Sequence, residues 1–382
     1  VSAIPLSILD LSPVPRSGDA SEALANTLRL AQAAEHAGYH RYWVAEHHLA
    51  AGVASGAPAV LIAAIAAITS RIRVGSGAVQ LAHSTPLVVA EQFGTLAHLH
   101  PGRIDLGLGR SGLRALAERI AASKKRQAAG EPARADARLV DGLLIPAPPA
   151  RFTVDPVRLS AHANLLGEPE GGALPDYAQS VDDILAFFRG DYHAQDGTPF
   201  RTVVAENADL EFWILGSSAG PSSRAAGELG LPFAGNYHVS PSTVLESVQS
   251  YREAFRPSKL LDRPYVMVSA DVVVADDTGT AHELALPYAQ WVLDIRTGEG
   301  AKPYATPAQA ASRTWTDEER ALVGDRVATQ FVGTPEIVAE KLRVLQKATG
   351  ADELLITTIT HDFTARLRSH DLLAQAWNQA TR

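Results

Sequence analysis

Residues 73–111 read RVGSGAVQLAHSTPLVVAEQFGTLAHLHPGRIDLGLGRS, and their succession of strand, helix and strand decides the fold. Val74 to Leu81 is a short apolar run broken by Gly75 and Gly77, and glycine inside a buried strand marks a close approach of backbone or ligand. Pro86 stands where a first helical turn tolerates it, because the N–H it lacks has no intrahelical partner there. Leu87, Val88, Phe93, Leu96 and Leu99 follow at spacings that predict one apolar helix face, which Pro101-Gly102 ends. Arg103 to Leu108 reads as a second buried strand. Gly109-Arg110 then puts a cation at its carboxyl end, where parallel α/β sheets and barrels bind ligands.

On the N-terminal side the same unit repeats. Ile4 to Leu9 is an apolar strand, and a helix with Ser21 as its expected N-cap runs to Gly38, an expected C′ glycine. Tyr42 to Ala45 is the next strand, leading into Glu46-His47-His48, and Pro58 to Ile68 is an Ala/Ile helix. Strand starts near residues 4, 41, 72 and 103 recur about every 31 to 37 residues. Units of this size imply a parallel sheet with right-handed crossovers.

On the C-terminal side the rhythm breaks and resumes. Gly112 to Pro175 has no clean period; it holds Lys124, Lys125, Arg126, Arg134, Arg138 and a Pro-rich run around Pro146 to Pro149, and reads as an insertion at about 112–175. Val181 to Phe188 is helical. Strands then follow at Glu211 to Leu215, Leu231 to Tyr237 and Tyr265 to Val274, with helices at Ser223 to Leu229 and Ser242 to Phe255. After a helix near His282 to Ile295, a second irregular stretch is expected at about 298–330. Thr334-Pro335-Glu336 starts a further helix, and Leu354 to Ile359 and Leu367 to Trp377 complete the series. The eight strands predict an α/β fold of the (β/α)8 TIM-like barrel type with insertions, one domain over 1–382, whose catalytic groups lie on the carboxyl-end loops.

Composition narrows the function classes. Hydrophobic residues make up 46% and charged residues 20% of 382, enough for a large core. A net charge of −8 offers no basic face for nucleic acid. With no cysteine, disulfides, thiolate nucleophiles and Cys-ligated zinc are excluded. The longest apolar runs are too short to cross a bilayer, and Val1 to Pro15 lacks the regions of a signal peptide, so a cytoplasmic protein is expected.

Three groups of residues could carry chemistry. His47 and His48 follow a strand, and adjacent residues in extended backbone face opposite ways, so one of them is expected in the pocket. A metal reading lacks the further ligands it needs, and none is expected. Gly216-Ser217-Ser218 lies between a strand and a helix start, where free N–H groups and the helix dipole favour an anion. Ser222, Ser223, Arg224 and Arg110 could add to a phosphate site there, although a plain Ser/Gly cap accounts for the turn equally well. No Gly-x-Ser-x-Gly elbow is present, which removes a serine hydrolase.

Taken together these segments resemble the bacterial-luciferase-like family of flavin-dependent oxidoreductases. The resemblance rests on RYWVAEHH (Arg41 to His48), IRVGSGAVQL (Ile72 to Leu81), the stretch from Pro86 to Arg110, FWILGSS (Phe212 to Ser218), GLPFAGNYH (Gly230 to His238), RPYVMVSADVVVADD (Arg263 to Asp277) and VGTPEIVAEKL (Val332 to Leu342). It implies a TIM-like barrel, a homodimer, and FMN or a deazaflavin at the carboxyl ends of the strands. It also implies that His47 is the catalytic residue, that Gly77-Ala78 is a non-prolyl cis peptide under the flavin ring, and that Arg110, Gly216, Ser217 and Ser218 hold the phosphate. The expected activity is that of a monooxygenase. Reduced FMN, supplied by an NAD(P)H-dependent flavin reductase, would react with molecular oxygen and pass one oxygen atom to a small-molecule substrate.

The chain departs from the family in two places. Gly109 stands where a luciferase alpha chain has cysteine, and Ser111-Gly112-Leu113-Arg114 replaces a Pro-Gly-Thr-Asp-like loop. Two alternatives therefore stand beside the first reading: deazaflavin-dependent hydride transfer without oxygen, and a flavin-binding homologue without turnover.

Overall fold

The structure, a computed structural model, describes residues 4–110, 136–148, 155–168 and 176–379. Its strands are β1 (Leu6–Asp10), β2 (Arg41–Val44), β3 (Arg73–Ser76), β4 (Ile104–Gly109), β5 (Glu211–Gly216), β6 (Phe233–Asn236), β7 (Val266–Val274) and β8 (Glu353–Thr357). Each pairs in parallel with the next, and β8 pairs with β1, so eight strands close a barrel. The helices that follow them are α1 (Ala20–Ala37), α2 (Pro58–Ile68), α3 (Pro86–Leu99), α4 (Tyr177–Arg189), α5 (Pro221–Glu228), α6 (Val244–Ala254), α7 (Pro335–Thr349) and α8 (Phe363–Gln379). This is the expected (β/α)8 barrel. Among the described residues no helix is long and apolar enough to cross a membrane.

The glycines of the opening stretch are there for space. A Cβ on Gly107 would overlap the Ser76 carbonyl oxygen and sit 3.0 Å from Leu215 Cδ1. Ser76 Oγ meanwhile donates to the Gly107 carbonyl at 2.9 Å and accepts from its N–H at 3.0 Å. Gly107→Ala is expected to cost about 1–3 kcal/mol by overpacking, read as a lower urea midpoint; an unchanged midpoint would contradict this packing. Beyond Ser76 the peptide Gly77-Ala78 is cis, and Val79–Gln80 then resumes pairing beside the end of β4.

Local expectations are corrected at several points. Asp19, not Ser21, caps α1, its carboxylate accepting from the Glu22 N–H at 2.9 Å. In α3 the buried face is Val89, Ala90, Phe93, Leu96 and Ala97, whereas Leu87, Val88 and Leu99 point outward. The stretch at 112–175 carries, among its described residues, a hairpin of Arg138–Val140 and Leu143–Ile145 turning on Asp141-Gly142, and a helix at Pro156–Leu165. Ser111 to Arg114, Lys124, Lys125, Arg126 and Arg134 lie outside the described residues. The stretch at 298–330 is largely helical, with Pro307–Ala311 and Asp317–Thr329, the latter opened by a Thr316/Glu319 capping box. It folds back onto the helix Pro287–Arg296.

At the amino end of the barrel lies a buried ionic cluster that the sequence pattern does not reveal. Arg41 Nη1 pairs with Asp105 at 2.9 Å and Glu211 at 2.6 Å, while Nε pairs with Glu353 at 3.1 Å. Its guanidinium stacks over Trp213, which meets Trp43 edge to face. Trp43 Nε1 donates to Asp105 at 2.8 Å, and Ser7 Oγ and Tyr265 Oη donate to Glu353. Every buried charge thus has an opposite partner, the condition under which such burial is tolerated.

Candidate active site

The carboxyl ends of the strands surround a cavity of about 460 Å³, within the usual range for small-molecule and cofactor sites. His47, Gly77, Ala78, Arg110, Gly216, Ser217 and Ser218 all line it. They come from the ends of β2, β3, β4 and β5, so separate βα units converge on one space.

His47 follows β2, with its backbone N–H held by the Ser55 carbonyl at 3.0 Å. It faces the cavity, while His48 turns aside and bonds Glu46 Oε1 through Nε2 at 2.7 Å. Glu46 Oε2 in turn accepts from the Gln80 N–H at 2.9 Å, which ties the β2 loop to the segment beyond the cis peptide. Burial, reinforced by His48, pushes the His47 imidazole down to about 4. By surface area His47 is exposed toward the open cavity, so water offsets part of this shift until a ligand covers it. At neutral pH the imidazole is uncharged.

The rim formed by β4 and β5 collects donors for an anion. Arg110 is exposed, and among the described residues no carboxylate lies within ion-pair distance of it. The turn Gly216 to Ser218 runs into Gly220 and the start of α5, with Thr243 Oγ1 donating to the Ser217 carbonyl at 2.5 Å. Ser222 lines the cavity as well. Ser223 and Arg224, grouped with it on the sequence, do not reach it. Ser223 is buried, its hydroxyl accepting from the Gly220 N–H at 3.0 Å, and Arg224 points to solvent.

Other cavity residues escaped the sequence reading. His238 follows β6, and its Nδ1 lies 2.6 Å from Ser269 Oγ, which also approaches Asn236 Oδ1 at 3.2 Å. If Ser269 donates to Asn236 it must accept from Nδ1–H, leaving Nε2 as an acceptor. Burial, then Arg326 and His47, pushes His238 down to about 3, so it too is neutral. Asp271 of β7 accepts from Tyr288 Oη and from Arg326 Nη2 at 3.3 Å. Burial outweighs Arg326 here and raises the Asp271 carboxyl above its ordinary value. The only prior signal was a lone carboxylate in the apolar run VMVSADVVV. Among the described residues no group of three or more His, Asp or Glu could hold a metal ion.

Comparison with known proteins bears on this site. The profile of the luciferase-like monooxygenase family matches residues 4–141 and 175–353. A protein of Escherichia coli strain K12 described as a luciferase-like monooxygenase is 34% identical over 371 residues, covering 97% of this chain and 96% of that protein. The crystal structure of apo-MsnO8 superposes with a TM-score of 0.76 at 29% identity, covering 98% of both chains. The oxygenating constituent of 3,6-diketocamphane monooxygenase from Pseudomonas putida, solved with FMN, superposes with a TM-score of 0.65 at 19% identity over 99% of both chains.

Proposed function

The chain belongs to the luciferase-like monooxygenase family of enzymes, and from that premise we propose that it is a flavin-dependent monooxygenase using reduced FMN and molecular oxygen on a small organic substrate. The observation that carries this reading is the convergence of Arg110, the Gly216 to Ser218 turn and the start of α5 on one rim of the cavity. Free N–H groups and a cation there suit a phosphate. A structural neighbour of the same fold is known with FMN bound.

In this reading the β4/β5 rim holds the phosphate, Gly77 and Ala78 support the ring system, and His47 stands beside it. Reduced flavin supplies the two electrons that let one atom of oxygen go to the substrate and the other to water. The protein's share is to bind, to orient and to exclude water. Leu9, Leu11, Leu355 and Ile359 form an apolar side of the cavity, and His47, neutral at pH 7, holds or moves a proton at its imidazole nitrogen. A separate NAD(P)H-dependent reductase in the same cytoplasmic setting would return the cofactor to its reduced form. The outward apolar residues Val60 and Ile68 of α2, with Leu87, Val88 and Leu99 of α3, support a homodimer through these adjacent helices.

Arg110→Ala tests the rim directly. Loss of a charge-assisted contact is expected to weaken FMN binding by about ten- to a hundredfold, while riboflavin, which has no phosphate, binds as before. Equal losses for both ligands, or none for FMN, would move the phosphate elsewhere.

A further inference from the structure

The cavity has a second polar end that neither the β4/β5 rim nor His47 uses. It lies where β7 and β8 end and the excursion after β7 folds back, and Trp291, Arg326 and Thr357 line it. Trp291 and Thr357 are 7% and 1% exposed. Neither Trp291 Nε1 nor Thr357 Oγ1 has a hydrogen-bond partner among the described residues. Buried polar atoms are normally paired, so two orphans on one ligand cavity point to a ligand. Arg326 adds a charge. Its Nε donates to Tyr288 Oη at 3.0 Å and its Nη2 to Tyr288 at 2.6 Å and Asp271 at 3.3 Å, leaving Nη1 with no described partner.

The acids nearby do not compete for an anion. Of the two carboxylates that line the cavity, Glu46 is engaged by His48 and Gln80, and Asp271 by Tyr288 and Arg326. Burial raises the Asp271 carboxyl above its ordinary value, Asp271 helps hold Arg326 in its charged form, and Arg326 Nη1 is the donor that this wall leaves without a partner among the described residues. From here Leu355 of β8 and Leu9 of β1 lead round the barrel to His47 at the end of β2.

We propose that this wall selects the substrate, which is a small organic acid: its carboxylate sits on Arg326, Trp291 and Thr357, and its apolar body lies over Leu355 and Leu9 toward His47. This rests on the reading that the β4/β5 rim is taken by the cofactor's phosphate.

The test is calorimetric titration of the protein with hexanoate and with hexanamide, and separately with FMN. Hexanoate is expected to bind at least about tenfold more tightly than hexanamide, and Trp291→Phe and Thr357→Val each to weaken hexanoate about tenfold with FMN unchanged. Thr357→Val removes only a hydroxyl that the protein leaves unpaired, so the test holds on it even if Trp291→Phe, which also trims a buried ring packed against Tyr288 and Tyr304, fails to fold; Arg326→Met is avoided because it strips Asp271 of its partner. Arg110→Ala should leave hexanoate binding intact. Equal binding of acid and amide would overturn the proposal, as would loss of hexanoate in Arg110→Ala or variants that weaken FMN instead. A protein that prefers hexanoate at this wall but binds no FMN would refute the cofactor reading and leave the acid site standing.

Discussion

His47→Ala protein is expected to bind FMN with unchanged affinity and to turn over at least about a hundredfold more slowly, the range associated with loss of a positioned proton donor or acceptor. The geometry supplies both halves of that expectation. His47 lines the cavity from the end of β2, while the groups suited to phosphate come from β4 and β5, so removing the imidazole leaves the anchoring rim untouched. The loop that carries it is held without the ring: its backbone bonds Ser55, and Glu46 bonds Gln80 and His48. Burial pushes the imidazole down toward about 4, less far while water fills the cavity than when a ligand covers the ring. Protonation of His47 would therefore lower turnover only below the ordinary imidazole value of about 6.5, with no break from this residue above about pH 7. Single-turnover rates with reduced flavin, compared between wild type and variant across pH, check both points. Unchanged turnover would remove His47 from the chemistry.

Arg41→Met is expected to be the most destabilising single change of those considered, by about 3–5 kcal/mol, because it leaves buried carboxylates without their cation. Asp105 and Glu353 are fully buried beside it. Arg73 still reaches Asp105, so the larger share of the loss falls on Glu353, which retains, among the described residues, only the hydroxyls of Ser7 and Tyr265. Pairing Arg41→Met with Glu353→Gln should recover part of the stability, since it removes one orphan charge. The pH dependence has a definite sign. Burial alone would raise Glu211, but Arg41 and Arg73 hold it below the ordinary glutamate value. Its contribution is present above that value and is lost as the pH falls through the depressed one. Urea denaturation of the single and double variants gives the measurement, and a single variant that loses no more than about 1 kcal/mol, the centre of the range for point substitutions in general, would contradict this account of the barrel's amino end.

The barrel was legible because its strands are short apolar runs separated by helices that begin with proline. Pro58, Pro86 and Pro335 each open a helix at the expected place. Periodicity failed where a helix buries charge instead of an apolar stripe. Asp317–Thr329 packs Asp325 and Arg326 inward, so its pattern reads as polar throughout, although the Thr316/Glu319 capping signature stood in the sequence. In α3 the spacing of apolar residues was right but too generous, since Leu87, Val88 and Leu99 belong to an outer apolar surface that α2 shares.

The site divides in the same way. Position alone marked Arg110 and the pair His47-His48 at strand ends, and the family resemblance chose His47 from the pair. The pairing of Asp271 with Arg326, 55 residues apart, depends on the excursion after β7 folding back, that of Arg41 with Glu353, 312 apart, on barrel closure, and neither has a local signal. Trp291 and Thr357 become informative only when their neighbours are known, because what marks them is the lack of a partner.

The central claim is that the cavity takes reduced FMN and delivers oxygen chemistry. It is tested most directly by titrating the protein with FMN, reduced FMN and a deazaflavin, then following oxygen uptake by each complex. The account predicts tight binding of reduced FMN and oxygen consumption that yields an oxygenated product when substrate is present. Binding of the deazaflavin alone, with no oxygen consumed, would contradict it and assign the cavity to two-electron transfer without oxygen.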